Sequence, residues 1–417
     1  MDRNSTALSN WRTPSVVQSA NIPQPFEAWE QFRGKHVLLL QGPMGPFFRH
    51  ISKHLRLHGA FVSKVNFNLS DSAYFSGSAK SYLYRGKFEN WPDYLERLIV
   101  NSSINALFLF GDCRPLHQSA IDRARKLGID IYVFEEGYLR PDFVTFEKDG
   151  VNGHSSLPRE PEFYHSLETH PLPVPLPVGN VYAWGVLHSI TYSVLATLFW
   201  WLTPKYRHHR DINCFRQGII WLRGGIRRSI HTLRDRHIRT SLEGGYLPPY
   251  FLVPLQVHSD SQITHSDFRD IADFIKVVVK SFTLNAPKEC ILILKHHPFD
   301  RPYRDYSQLI NQLRNEHKLG QRLLYVDMIN LPTALRRARG TVVINSTVGL
   351  SSICHHTPTK CLGNAIYDIE GLTHQGSLDS FWFEPASVNQ ELAQKFRYWL
   401  RKSTQLNGSI WKELFRR

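Results

Sequence analysis

Residues 250–263 read YFLVPLQVHSDSQI. The β-forming run Phe251-Leu252-Val253-Pro254-Leu255-Gln256-Val257 gives way at once to the polar turn His258-Ser259-Asp260-Ser261, the pattern of a buried strand delivering side chains to a loop. In open α/β sheets ligands bind outside the carboxyl ends of the strands, so Gln256 and Asp260 are candidates for chemistry. Asp260 fits a second role equally well, capping a following helix, and the spacing leaves both open.

Downstream the strand–loop–helix rhythm repeats. A helix is predicted over 267–282, with Ile271, Phe274, Ile275, Val278 and Val279 on one face. The strand Cys290-Ile291-Leu292-Ile293-Leu294 runs into Lys295-His296-His297-Pro298. A strand over 323–326 and a helix over 331–338 follow, and Thr341-Val342-Val343-Ile344 leads into Asn345-Ser346-Thr347-Val348-Gly349. A strand feeding a Ser-Thr-x-Gly helix start offers amides, hydroxyls and the positive helix end to a phosphate. Lys295 and His297 would add donors to the same anion, although a plain N-cap also accounts for Ser346 and Thr347.

Upstream, Lys35–Leu40 is a short apolar strand closed by Gln41-Gly42-Pro43-Met44-Gly45-Pro46, with a helix predicted over 47–58. That loop is neither GxGxxG nor a Walker loop, and its two prolines lack backbone donors. Gly42 therefore reads as a substrate-lining or structural turn residue, not part of a phosphate cradle. Further units run over 60–66, 104–110 (ending in Gly111-Asp112-Cys113-Arg114-Pro115) and 129–134. The last enters Glu135-Glu136-Gly137-Tyr138-Leu139-Arg140-Pro141. A carboxyl of raised pKa there could exchange a proton with a substrate hydroxyl. Neighbours on an extended chain point to opposite faces, so one of Glu135 and Glu136 at most faces a crevice. The alternative is two solvated acids paired with Arg140.

The chain has 417 residues, enough for two domains, and a formal charge of +14 that favours an anionic partner. Five scattered cysteines without CxxC spacing argue for a reducing compartment and against structural zinc. Residues 1–33 read as a flexible tail without a signal-peptide core, which suggests a cytoplasmic location. A proline-rich connector over 158–177 precedes the most apolar stretch, 183–202, AWGVLHSITYSVLATLFWWL. Residues 203–240 then carry ten Lys/Arg against two Asp. An aromatic helix beside a basic, partly amphipathic one is the pattern of attachment to an anionic membrane surface; a buried hairpin and a true span are the alternatives. No nucleic-acid-binding signature accompanies the charge.

The set Gln256-Val257-His258-Ser259-Asp260, Lys295-His296-His297-Pro298, Asn345-Ser346-Thr347-Val348-Gly349-Leu350 and Tyr367-Asp368-Ile369-Glu370-Gly371-Leu372-Thr373, preceded by Phe134-Glu135-Glu136-Gly137-Tyr138-Leu139-Arg140-Pro141, resembles the KpsS/KpsC family of capsular polysaccharide synthesis proteins over roughly residues 35–385. The resemblance implies a retaining β-Kdo glycosyltransferase of α/β class, two Rossmann-like domains in a GT-B-like arrangement, here with a helical membrane-associating insertion. Its implied layout is an acceptor domain over 34–180, the apolar and basic helical segment over 181–247, a nucleotide-sugar domain over 248–385 and a C-terminal helical segment over 386–417 that could return to the first domain. It further implies CMP-Kdo as donor, lyso-phosphatidylglycerol as lipid acceptor, the start of a poly-Kdo linker, and work at the cytoplasmic face of the bacterial inner membrane beside other capsule synthesis and export proteins.

In that family Asp260 would be the nucleophile of a double displacement and Glu135 or Glu136 the acid/base, with Glu136 preferred as nearer the strand end. Gln256, Lys295, His297, Asn345, Ser346, Thr347 and Gly349 would serve the donor, and Gly42 and Arg140 the acceptor or cleft. No cofactor is expected, and no DxD motif or ligand cluster calls for a metal. The EEG motif in a single module, where KpsC-type modules carry an EDG-like version in tandem, points to one linkage. A GT-B enzyme with another nucleotide-sugar donor and a non-catalytic adaptor of a capsule assembly complex are the competing readings.

Overall fold

The computed structural model describes residues 27–412. The first sheet is built from β1 (His36–Leu39), β2 (Phe61–Asn66), β3 (Lys80–Leu83), β4 (Ala106–Phe110), β5 (Asp130–Glu136) and β6 (Phe143–Lys148). The second holds β7 (Tyr250–Pro254), β8 (Ile291–Lys295), β9 (Leu323–Val326), β10 (Gly340–Val343) and β11 (Thr359–Cys361). A last strand, β12 (Gln405–Asn407), returns to the first sheet. The two orders are β12-β6-β5-β4-β1-β2-β3 and β11-β10-β7-β8-β9.

β1 to β5 are mutually parallel, as is the whole second sheet, and each parallel set runs in the same doubly wound order, with its first strand beside its fourth. The central strands, buried on both faces, are near-continuous apolar runs such as Ala106–Phe110 and Ile291–Leu294. The order reverses between β1 and β4 and between β7 and β10, so each domain opens a crevice at those carboxyl ends. The loops quoted above all leave from such ends. The chain is thus an α/β protein of two Rossmann-like domains in the GT-B-like arrangement.

A third core joins the domains. Tyr138, Leu157 and Tyr164 of the first pack with Leu350, Ile366 and Tyr367 of the second and with Phe396 and Leu400 of the helix Gln390–Thr404. Antiparallel pairing of β12 with β6 sets Gln405 opposite Thr145 and carries the C-terminus into the first domain's sheet.

Two expectations need correction. The tail assigned to 1–33 ends earlier, because Trp29 and Phe32 are buried in the first domain's core; residues 1–26 lie outside those described. For the stretch 183–202, the buried-hairpin alternative fails, because Tyr192 is the one buried residue of the helix it forms. It forms the 17-residue helix Tyr182–Leu198 and a short 3-10 turn, and no helix among the described residues is long and apolar enough to cross a membrane.

Candidate active site

Asp260 sits at the mouth of the second domain's crevice, partly exposed. Its carboxylate does cap the following 3-10 turn, Ser261–His265, accepting from the Gln262 amide at 2.9 Å. It also accepts from Gln256 Nε2 at 3.1 Å. Gln256 is buried; the same Nε2 reaches Asn345 Oδ1 at 3.1 Å, and Asn345 Nδ2 donates to the Gln262 carbonyl at 2.8 Å. A carboxylate offers about four lone-pair sites, so these two bonds orient Asp260 and leave acceptor capacity towards the cleft. Capping and chemistry are compatible here.

Lys295 is buried at the end of β8, its Nζ 3.3 Å from the His296 carbonyl, and burial lowers its pKa. Burial also holds His297 down to about 4, helped by the charges of Lys295 and of Arg140 from the other domain. His297 is therefore neutral near pH 7. Its Nδ1 accepts from the Phe299 amide at 3.2 Å, which places the proton on Nε2 as a donor. Thr347 and Asn345 line a cavity between the domains together with Tyr138, Asn152 and Tyr367. Ser346 caps the helix Thr347–Cys354 by accepting from Val348 N at 3.2 Å, while its carbonyl accepts from the Tyr367 hydroxyl. Gly349 has a packing role: a Cβ there would fall 2.2 Å from the Tyr367 oxygen.

Across the cleft the two glutamates part company. Glu136 is exposed and pairs with Arg140 at 2.7 Å, the solvated arrangement named above as the alternative. Glu135 is half-buried, its Oε1 accepting from the Glu136 amide at 2.9 Å. Burial lifts its pKa to about 7, with Glu136 and Asp112 raising it and Arg114 opposing. Gly111, at φ +69°, gives Glu135 room, since a Cβ there would stand 3.3 Å from Oε2. Arg114 is held beside it, donating to the Gly42 carbonyl at 3.1 Å. Gly42 itself lines a separate cavity with Lys64, Arg49, Tyr74 and Tyr192. Burial lowers the Lys64 pKa to about 8.

Sequence reading missed what closes the cleft. Cys113 Sγ lies 3.4 Å from His265 Nε2, the His154 and His265 rings meet edge-to-face with centroids 4.4 Å apart, and Asn364 Nδ2 donates to the Gly153 carbonyl at 3.0 Å. The loop after β4 thus faces the turn that Asp260 caps. The Gly111–Pro115 loop was visible as a strand end, but contacts so distant in sequence leave no local signal.

The helix Tyr182–Leu198 touches the first domain through polar contacts at His188, whose Nδ1 is 3.1 Å from the Tyr74 hydroxyl, and at Tyr192. Tyr192, its one fully buried side chain, donates to Asp71 Oδ1 at 2.8 Å and accepts from Asn68 at 2.8 Å, while Trp184, Leu187 and Ile190 are exposed. The helix Cys214–Arg234 turns Arg223 and Arg227 onto carbonyls of 301–304 in the second domain. Beside these arginines runs a stripe of Phe215, Ile219, Leu222, Ile226, Ile230 and Leu233, 56–75% exposed.

Residues 105–411 match the model of the family described as "Capsule polysaccharide biosynthesis protein". The chain is 40% identical over 377 residues to the capsule polysaccharide export protein KpsS of Escherichia coli, covering 90% of this chain and 96% of that protein. It is 36% identical to the capsule polysaccharide modification protein LipB of Neisseria meningitidis serogroup A, covering 91% and 93%. Among solved structures, KpsC of Thermosulfurimonas dismutans, a β-Kdo 2,7 transferase, is similar at 14% identity and a TM-score of 0.40, over 83% of this chain and 92% of that one. With a family match across most of its length and relatives aligned nearly end to end, this chain belongs to the capsule polysaccharide biosynthesis family.

Proposed function

We propose that the protein is a retaining β-Kdo glycosyltransferase that moves Kdo from CMP-Kdo to lyso-phosphatidylglycerol, starting the poly-Kdo linker of a capsular polysaccharide. The observation that carries this reading is a Gln256-held carboxylate, Asp260, in the same cleft as Glu135, a carboxyl lifted to about 7. Two carboxyl groups in unlike environments are what a double displacement uses.

In the first step Asp260 attacks the anomeric carbon as the bond to the phosphate oxygen breaks, and the electron pair leaves with CMP. A monophosphate leaving group needs less charge neutralisation than a diphosphate, and the reading assigns no metal to this step. In the second step the acceptor hydroxyl gives its proton to the Glu135 carboxylate and attacks the same carbon, and the Asp260 ester leaves. Two inversions retain configuration. The burial of Glu135 and the outward pairing of Glu136 with Arg140 move the acid/base role from Glu136, preferred on sequence, to Glu135.

Neutral His297 donating from Nε2, cationic Lys295 and the Asn345–Thr347 segment would hold the CMP and the Kdo carboxylate. The cavity containing Gly42, Lys64 and Arg49 would take the acceptor's anionic headgroup. The apolar stripe of the Cys214–Arg234 helix, with the exposed aromatics of 184–201, would seat the protein on the cytoplasmic face of the bacterial inner membrane, alongside other capsule synthesis and export proteins. Incubation of the full chain with CMP-Kdo and a lyso-phosphatidylglycerol analogue should yield a Kdo-bearing lipid, and Asp260→Ala should abolish it while folding is kept. Turnover of a different donor with no Kdo product, or full activity of Asp260→Ala, would refute the reading.

A further inference from the structure

We infer that Cys113, His154 and His265 form a binding site for a zinc-class divalent ion that clamps the two domains together beside Asp260. One donor atom from each of the three lies within 4.8 Å of the other two. A tetrahedral ion with bonds of about 2.0–2.3 Å needs donors roughly 3.3–3.8 Å apart, so small side-chain adjustments complete the set. Cys113 Sγ and His265 Nε2 already stand 3.4 Å apart.

The surroundings are those of a ligand set. His154 Nδ1 is 3.1 Å from Asp112 Oδ2, which fixes the ring and turns Nε2 away as a lone-pair donor. A carboxylate behind a ligating histidine is the usual orienting partner at such centres. Asp112 is itself buried and held by the Val151 amide at 3.1 Å. One sulfur and two imidazole nitrogens select zinc and its neighbours over magnesium or calcium, which take oxygen. On binding, Cys113 would release its thiol proton to solvent as the sulfur–metal bond forms. Three protein ligands leave a fourth position open to water or a substrate oxygen.

Its consequence is mechanical. Cys113 and His154 come from loops of the first domain, whereas His265 ends the 3-10 turn that Asp260 caps. An ion there ties the nucleophile's turn to the opposite wall of the cleft. The role of Asp260 rests on the proposed transfer reaction, whereas the ion site itself does not.

The test is titration of the chelator-treated full chain with Co²⁺. One equivalent should give a near-ultraviolet thiolate-to-cobalt band and the visible bands of a tetrahedral site, and Zn²⁺ should displace it and raise the melting temperature. Cys113→Ser should lose the near-ultraviolet band, and Asp112→Asn should weaken binding roughly 10- to 100-fold. Folding of each variant is checked by circular dichroism. Absence of the band in the wild-type protein, its persistence in Cys113→Ser, or no thermal shift with Zn²⁺ would overturn the assignment; the wild-type arms decide even if a variant fails to fold.

Discussion

At the scale of single residues, Gln256 and Glu135 carry the most consequence. Gln256 Nε2 is shared between Asp260 and Asn345, so in the proposed mechanism it would position the nucleophile. A hydrogen bond to a charged group contributes about 1.5–3 kcal/mol, so Gln256→Ala is expected to lower kcat roughly 10- to 100-fold with KM for CMP-Kdo little changed. Steady-state kinetics check this, and an effect on KM alone would remove the positioning role. In the proposed mechanism Glu135 must be a carboxylate to take the acceptor proton, and burial has raised its pKa to about 7. The rate should therefore fall as pH drops through about 7, and Glu135→Gln should lose on the order of 10²- to 10⁴-fold together with that limb of the profile. A Glu135→Gln variant with unchanged activity would eliminate it. The QxxxD spacing was readable because strand and loop are contiguous. The choice between adjacent glutamates was not, because it depends on which face of β5 meets Arg114 and Gly111, residues on another strand's loop.

At the scale of elements, the two helices of 182–234 show how far composition reaches. Their apolar and basic character was plain in the sequence, but the partners were not. Arg223 and Arg227 grip carbonyls of the second domain, so part of the basic run anchors the helix to the protein and is not presented to lipid. The exposed stripe is then the surface proposed to meet the membrane. Flotation with anionic liposomes should retain the wild-type protein at low salt and release it only partly at high salt. Leu222→Asp with Ile226→Asp should cut retention at least tenfold at either salt, with circular dichroism unchanged. Equal retention of the double variant would show that the stripe does not meet the bilayer.

At the scale of the whole molecule, eight of the ten parallel strands were legible as short apolar runs ending in Gly, Pro or polar residues, whereas β3 (KSYL) and β11 (TKC), short and mixed in polarity, left no such signal. β6 and β12 were not legible either: an antiparallel neighbour and a three-residue return strand carry no periodicity of their own. β12 nevertheless ties the C-terminus to β6 and to the loop that follows Glu135 and Glu136, because Gln405 donates to Thr145 Oγ1 at 3.0 Å and accepts from the Leu139 amide at 3.2 Å. Ending the chain after Thr404 would strip the buried Leu406 and Ile410, each contributing about 1.5–3 kcal/mol. A melting temperature lower by at least several degrees, with reduced transfer, is expected; an unchanged melt would show that β12 is dispensable. In the proposed mechanism these features serve one arrangement, in which Asp260 on one domain would make a covalent bond that Glu135 on the other would help resolve. The direct measurement is intact-protein and peptide mass spectrometry of Glu135→Gln after incubation with CMP-Kdo and acceptor. The account requires an adduct of one anhydro-Kdo mapped to Asp260 and absent from Asp260→Ala, whereas an adduct on another residue, or transfer with no adduct, would contradict it.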